Sequence, residues 1–456
     1  MTHNRLSDDI FGPEIRPANR ILVGRPFSLS RGITRNTHAD KAVSQRATLL
    51  ASLCTGTSTI ENVADCRDTR SNLDLLSTLG IGILADTPSR ISIVGRPVTS
   101  WRNALSPLEA GNSATTARLL TAILAGGVNE YVITGNSSLR SRPMAEIVDP
   151  LKVMGADLTY LESIGNLPIH VRGRRLAGGT VQVEVDSAQP VSALLFAGLN
   201  ASAPVRVRRR VPARDHTERL LRWTGVDVAE SPRSLTITPG EPRSFSLRIA
   251  GDTSGAALLA ALHLGSPQAT STLTIPGVGI NHRRTGFLRA LRRMGAMVRC
   301  KNLRMFGPEP VGDVLLNRGP APLRGIEMSD PFEIQSLIDE IPLLAALATV
   351  SEGPTVIRNA QELRGKDTDR LFETVSLLEK FECRAHQTDD GLVVHPRRPT
   401  APTSVSLPPD HRVIFAAMVL TLLCGGGVEL IGLSATATSW PRAVDDLAQW
   451  APLEFS

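Results

Sequence analysis

The chain has 456 residues, 42% hydrophobic and 21% charged, enough apolar material for two or three ordinary cores, which excludes a disordered or low-complexity protein. A net charge of +6 permits anionic partners, but basic and acidic residues are interleaved and only 4% are aromatic, so neither a basic tail nor a stacking platform for single strands is expected. Five scattered cysteines, Cys54, Cys66, Cys300, Cys383 and Cys424, with no Cys-x-x-Cys pair, point to a reducing compartment. Of the 50 basic residues only Lys41, Lys152, Lys301, Lys366 and Lys380 are lysine. Arginine and lysine are not interchangeable, so each retained lysine is a candidate for a specific role.

The first twenty residues, MTHNRLSDDIFGPEIRPANR, carry charges and prolines where a signal peptide needs an apolar core, so a cytoplasmic location is expected. One unit then recurs six times: a small polar residue, an apolar helix of about three turns, a glycine break, a β-rich stretch and usually a second helix. The apolar helices open near VSQRATLLASL (43), ATTARLLTAIL (114), SAQPVSALLFAGL (187), SGAALLAALHL (254), IDEIPLLAALA (338) and DHRVIFAAMVL (410). Their spacing of about 70 to 85 residues exceeds solenoid periods and indicates a globular array of α/β units. Second helices close on LSTLG (76 to 80), LKVMG (151 to 155), LRWTG (221 to 225) and LRRMG (291 to 295), whereas the fifth copy, LLEKFE, lacks the glycine. The run from Val413 to Val428 is too short to span a membrane and reads as a buried helix.

Asp40, Asn112, Ser187, Thr253, Asp339 and Asp410 lie at or beside the helix starts, where side-chain oxygens cap free amides. Lys41 with Arg46, Arg118 and Arg412 accompany them, and capping alone does not call for cations. Helix ends of this kind converging on one cleft would bind a polyanion without metal. The densest constellation is ELRGKDTDRL (362 to 371): with a helix starting near Asp367 or Thr368, Lys366 and Arg370 sit at its N-terminus, an unfavourable place for cations unless an anion binds. Asp339, flanked by apolar residues, suits a cap or acid/base work. Arg142 stands on a turn in RSRPM, and Arg214 and His216 at another helix start. The RVRRR run (206 to 210, opening after Val205) reads as an exposed strand rather than a nucleic-acid groove. Scattered histidines without a His-x-His or His-Glu-x-x-His pattern give no metal motif, and no Walker lysine motif or Gly-x-Ser-x-Gly elbow occurs.

The ordered set HADKAVSQRATLLASL, EAGNSATTARLL, GNSSLRSRPMAEIVDPLKVMGA, VDSAQPVSALLFAGL, ARDHTERLL, GDTSGAALLAAL, IDEIPLLAALA, ELRGKDTDRLFE and DHRVIFAAMVL resembles the 5-enolpyruvylshikimate-3-phosphate synthase family from about residue 25 to the end. The resemblance implies a two-domain inside-out α/β barrel of six βαβαββ repeats, three per domain, with substrates bound between the domains. Residues 1–38 plus 245–456 would form one domain, 1–24 being a variable extension, and 39–244 the other. It implies enolpyruvyl transfer from phosphoenolpyruvate to the 5-hydroxyl of shikimate 3-phosphate by a monomer, with no metal, organic cofactor, membrane or nucleic-acid partner. Lys41, Asn112, Ala114, Arg142, Gln189, Arg370 and Arg412 resemble phosphoenolpyruvate contacts, and Lys41, Arg46, Ser187, Ala188, Gln189, Arg214, Asp339 and Lys366 shikimate 3-phosphate contacts. Asp339, Lys366, Asp367 and Lys41 resemble the catalytic groups.

Four departures stand out. Ala42 replaces the serine that follows the family lysine, which leaves transfer to a different alcohol open. RNTHAD replaces the usual Pro-Gly before that motif, Asp367 replaces a glutamate, and Thr438 stands where many members carry lysine. The SAQ and ARDHTE forms and the alanine of GNSAT resemble the glyphosate-tolerant class. The loop GNSSLRSRP has none of the cysteine expected of a UDP-N-acetylglucosamine enolpyruvyl transferase. A non-catalytic or RNA-end-binding relative, on the related units of RNA 3′-phosphate cyclases, is the remaining alternative.

Overall fold

The computed structural model describes residues 6–27, 32–87, 89–267 and 270–455. The chain divides into two compact units, the first from Met1–Glu14, Ala39–Ile249 and Phe306–Glu309, the second from Ile15–His38, Ala250–Met305 and Pro310–Ser456. Each has its own apolar core.

The repeated helix openings fold as six core helices: α1 (Lys41–Leu53), α2 (Ala114–Ala125), α3 (Ala188–Gly198), α4 (Thr253–Gly265), α5 (Ile341–Ala348) and α6 (His411–Leu423). Alanine and leucine dominate them, residues that lose little side-chain freedom in a helix. Every residue of α4, α5 and α6 is buried, so these three have no solvent face and owe their stability to packing on all sides. Among the described residues no helix is long and apolar enough to cross a membrane.

Among the described residues the strands form six four-stranded sheets, which share one design. In the second repeat, Leu108–Glu109 runs parallel to Glu130–Thr134, which pairs antiparallel with Ile169–Arg172, itself antiparallel to Asp157–Tyr160. A core helix connects the parallel pair and a second helix follows, the βαβαββ unit of a two-domain inside-out α/β barrel. The second helices end at Gly80, Gly155, Gly225 and Gly295, all at φ between 84° and 99°, the left-handed conformation that releases a helix without a Cβ clash. In the fifth copy Glu382 takes this conformation at φ 55°. A non-glycine residue there is strained by its Cβ.

The unit boundaries differ from the sequence expectation in three places. The helix Leu6–Phe11 belongs with the first unit: Ser7 bonds Asp74 through its N–H and its hydroxyl, and Arg70 binds Asp8 at 3.0 Å. Strand Ser246–Arg248 also stays with the first unit, parallel to Gly56–Glu61, while Ile33–Thr34, which precedes α1, pairs with Leu273–Gly279 of the second. The two repeats thus exchange their opening strands. Nor is the stretch before residue 25 merely an extension, because Arg20–Val23 is a central strand between Val428–Ile431 and Leu453–Phe455. Finally, the turn Phe306–Glu309 belongs to the first unit, where Glu309 accepts from His216 at 2.8 Å.

Candidate functional site

In the first unit the polar cluster is built on the openings of α1, α2 and α3. Asp40 caps α1 by accepting from the Val43 N–H at 2.9 Å, and Lys41, the first helical residue, reaches Asp68 at 2.9 Å. One turn on, Arg46 is only 4% exposed, and its partners include Thr217 Oγ1 at 3.0 Å, Ser192 Oγ at 3.3 Å and the Ala42 carbonyl at 3.1 Å. Ser113, not Asn112, caps α2, accepting from the Thr116 N–H. Asn112 lies just outside the helix and accepts from Arg142 through its side chain at 2.8 Å and its carbonyl at 3.3 Å. Ser138 Oγ fixes the same guanidinium at 3.2 Å.

Ser187 caps α3 over the Gln189 N–H, with Ala188 the first helical residue. Gln189 then ties α3 to α2, accepting from Arg118 and donating to Thr115 Oγ1 at 3.0 Å. Ala114, the first residue of α2, is buried, and Arg214 is half-buried just before the helix His216–Trp223. The structure therefore brings Arg46 together with α3 and with that later helix, and Arg142 together with Asn112.

In the second unit the centre is Arg370, 2% exposed, at the start of the helix Arg370–Lys380. That helix opens later than expected, because Asp369 caps it by accepting from the Phe372 N–H. Arg370 donates through Nε to Asp410 at 2.9 Å and through a terminal nitrogen to Asp339 at 3.0 Å. Burial opposes its charge, but the Asp410, Asp339 and Asp367 carboxylates outweigh that and raise its pKa further. Asp339 is no cap: it lies in the 3-10 turn Ile338–Glu340 before α5, and its second oxygen is 3.8 Å from Arg412. Arg412, first-turn in α6, also lies 3.6 Å from the fully buried Glu340. Lys366 pairs with Glu362 one turn back in the 3-10 segment Gln361–Gly365, and Asp367 lies 3.4 Å from His411 Nδ1. Thr438 Oγ1 stands 3.4 Å from that same nitrogen.

Asp252, which caps α4, is held well below the usual carboxylate range: burial pushes its pKa up, but His38, Arg284 and Arg412 more than reverse this. Asp367, Asp410 and His411 place ligand-type atoms within 4.8 Å of one another. Both Asp410 oxygens already accept hydrogen bonds, from Arg370 and Thr368 on one side and the Arg412 N–H on the other, so this cluster is organised around a guanidinium. Glu340 and His411 are not among the residues expected to build the site, and Asp410 is expected there only as a helix cap, which it is. Their signals were the Asp-His-Arg triplet at a helix start and a second carboxylate beside Asp339 in an apolar run.

A sixfold α/β repeat with cations at its helix openings defines the class: a two-domain inside-out α/β barrel suited to phosphorylated and carboxylated substrates. Residues 32–447 match the family model described as EPSP synthase (3-phosphoshikimate 1-carboxyvinyltransferase). The chain is 38% identical over 418 residues to the 3-phosphoshikimate 1-carboxyvinyltransferase of Chloroflexus aggregans, covering 90% of this chain and 94% of the relative. It is 40% identical over 385 residues to that of Desulforudis audaxviator, covering 84% and 88%. Among solved structures, EPSP synthase from Acinetobacter baumannii superposes with a TM-score of 0.84 at 28% identity, covering 96% of this chain and 99% of the other. The enolpyruvyl transferase NikO from Streptomyces tendae shares the fold, with a TM-score of 0.76 at 20% identity over 97% and 99% of the two chains. The chain belongs to the EPSP synthase family.

Proposed function

We propose that the protein transfers the enolpyruvyl group of phosphoenolpyruvate to the 5-hydroxyl of shikimate 3-phosphate and releases phosphate, a step of aromatic amino acid biosynthesis. A proton added to the phosphoenolpyruvate methylene makes C2 electrophilic, and the acceptor oxygen bonds to C2 as a base takes the hydroxyl proton. Phosphate then leaves the tetrahedral intermediate while the new methyl group returns a proton, which restores the double bond on the acceptor.

Lys41, Arg142, Arg370 and Arg412 are assigned to the phosphoenolpyruvate anion, with Asn112 holding Arg142 and Ala114 shaping the pocket. Arg46, Ser187, Ala188, Gln189 and Arg214 are assigned to shikimate 3-phosphate, Gln189 serving both substrates. Asp339 and Lys366 attend the attacking hydroxyl and Asp367 the methylene proton, with His411 Nδ1 3.4 Å behind it. Arg370 and Arg412, held beside the Asp339 carboxylate, are already in position for the anionic groups of phosphoenolpyruvate and need no reorganisation as phosphate leaves.

The match of residues 32–447 to the family carries this reading. Phosphate release measured with both substrates and with each alone tests it: turnover is expected only with the pair, and none with the pair would overturn it. Ala42 favours a second reading, transfer to another alcohol, because its side chain offers no hydroxyl where the family has serine. Turnover with a different cyclic alcohol and none with shikimate 3-phosphate would select it. Ala114 is further expected to confer glyphosate tolerance, so Ala114→Gly should lower the inhibitory glyphosate concentration.

A further inference from the structure

In the third sheet of the first unit, strand Val205–Arg209 lies between Gly179–Val183 and Ser234–Ile237. Its alternation buries Val205, Val207 and Arg209 and turns Arg206 and Arg208 to the opposite, exposed face. With Arg210 just past the strand, Arg233 in the neighbouring hairpin turn and Ser234, these arginines line a cavity of about 530 Å³. That volume falls within the range of small-molecule sites, about 300–1,000 Å³.

The five guanidiniums are not equivalent. Arg209 is matched by Glu230 at 2.6 Å and Glu218 at 3.5 Å, and Arg210 lies 3.8 Å from Asp186. Among the described residues Arg206, Arg208 and Arg233 have no carboxylate in ion-pair range, and Arg206 Nε donates to Ser234 Oγ at 3.3 Å. Like charges on neighbouring positions of a sheet face repel, which a purely structural surface relieves with interspersed acids. Here an anion would do so. Guanidinium forks take phosphate oxygens two at a time, and Arg206 and Arg208, two residues apart on a strand, are rooted about 7 Å from each other. That separation suits linked phosphoryl groups better than a single one. Among the described residues no Phe, Tyr or Trp lines the cavity, so they offer no aromatic face for a base.

We propose that this cavity is a second anion site, which binds a small, multiply phosphorylated anion through Arg206, Arg208 and Arg233. None of these residues is assigned to the transfer reaction. Calorimetric titration of the full-length protein with tripolyphosphate, at about 0.15 M salt to suppress diffuse attraction, tests it. One-site binding is expected. The combined substitution Arg206→Ser and Arg208→Ser should weaken it at least about tenfold, the loss typical of charge-assisted hydrogen bonds, and leave the enolpyruvyl transfer rate and the thermal midpoint unchanged. Absence of tripolyphosphate binding, or equal affinity in the substituted protein, would overturn the assignment. So would a short single-stranded RNA that binds tenfold more tightly than tripolyphosphate and loses that binding on the same substitution.

Discussion

Arg46 in the first unit and Arg370 in the second are both buried guanidiniums assigned to substrate anions, but they are held by different chemistry. Arg46 donates to two hydroxyls and a carbonyl, groups that orient it through neutral acceptors. Arg370 is clamped by Asp410 and Asp339, so its charge is already balanced where it sits. The first arrangement anchors the guanidinium through hydroxyls on two other helices. The second fixes a guanidinium rigidly next to the carboxylate expected to take a proton, which is positioning rather than attraction.

The largest effect should come from breaking the clamp. Arg370→Ala leaves the buried Asp410 and Asp339 without their shared partner, so it should destabilise the protein by about 3–5 kcal/mol in chemical denaturation and abolish phosphate release. Arg46→Met should instead cost only about 1 kcal/mol, because Thr217 Oγ1 already donates to Ser192 Oγ at 2.8 Å, and its main effect should be a higher KM for shikimate 3-phosphate. Equal losses of stability in the two variants would break the comparison.

Lys366 sharpens it from the catalytic side. Its partner Glu362 is one turn away and the pair is partly exposed, so Lys366→Met should leave stability within about 1 kcal/mol. The value of kcat should nevertheless fall by about 10²–10⁴, the range of general acid/base contributions. A change confined to KM would assign Lys366 to binding alone.

The last effect concerns a second-unit carboxyl that lacks such a clamp. Burial, then the neighbouring Asp445, raises the Asp446 pKa from 3.8 to about 7, only partly offset by Arg35, Gln449 and Arg442. A carboxyl raised in the folded state contributes stability that is complete below about pH 4 and is lost as pH rises through about 7. Asp252, lowered by His38, Arg284 and Arg412, works in the opposite sense, its contribution being lost as pH falls below about 4. Thermal midpoints of the wild type should therefore decline between pH 4 and 7, and Asp446→Asn should flatten part of that decline. An unchanged profile in the variant would remove Asp446 as its source.

Much of this organisation was legible in the chain itself. The six core helices show as Ala- and Leu-rich runs behind small polar residues, and Gly80, Gly155, Gly225 and Gly295 mark the second-helix ends because only a left-handed residue releases a helix that way. The exchanged strands were not legible: Ile33–Thr34 and Ser246–Arg248 have two and three residues, too few for alternation to be read. The start of the helix Arg370–Lys380 is ambiguous in the sequence because Asp367, Thr368 and Asp369 are all competent caps, and only the Phe372 N–H decides among them. The Arg370–Asp410 clamp joins residues 40 apart, beyond the reach of any local pattern.

The central strand Arg20–Val23 has a consequence for the order in which the molecule is made. The sheets of the first unit have all their strands once Ser246–Arg248 has left the ribosome. One sheet of the second unit instead pairs Arg20–Val23 with two strands made much later, Val428–Ile431 and Leu453–Phe455. A long-range pairing of this kind is slow to find, though the entropy of closing so large a loop grows only with the logarithm of its length. The first unit can thus fold during translation, whereas the second closes only once Leu453–Phe455 has emerged, and a nascent chain stalled before that strand should hold one folded unit and one waiting for it.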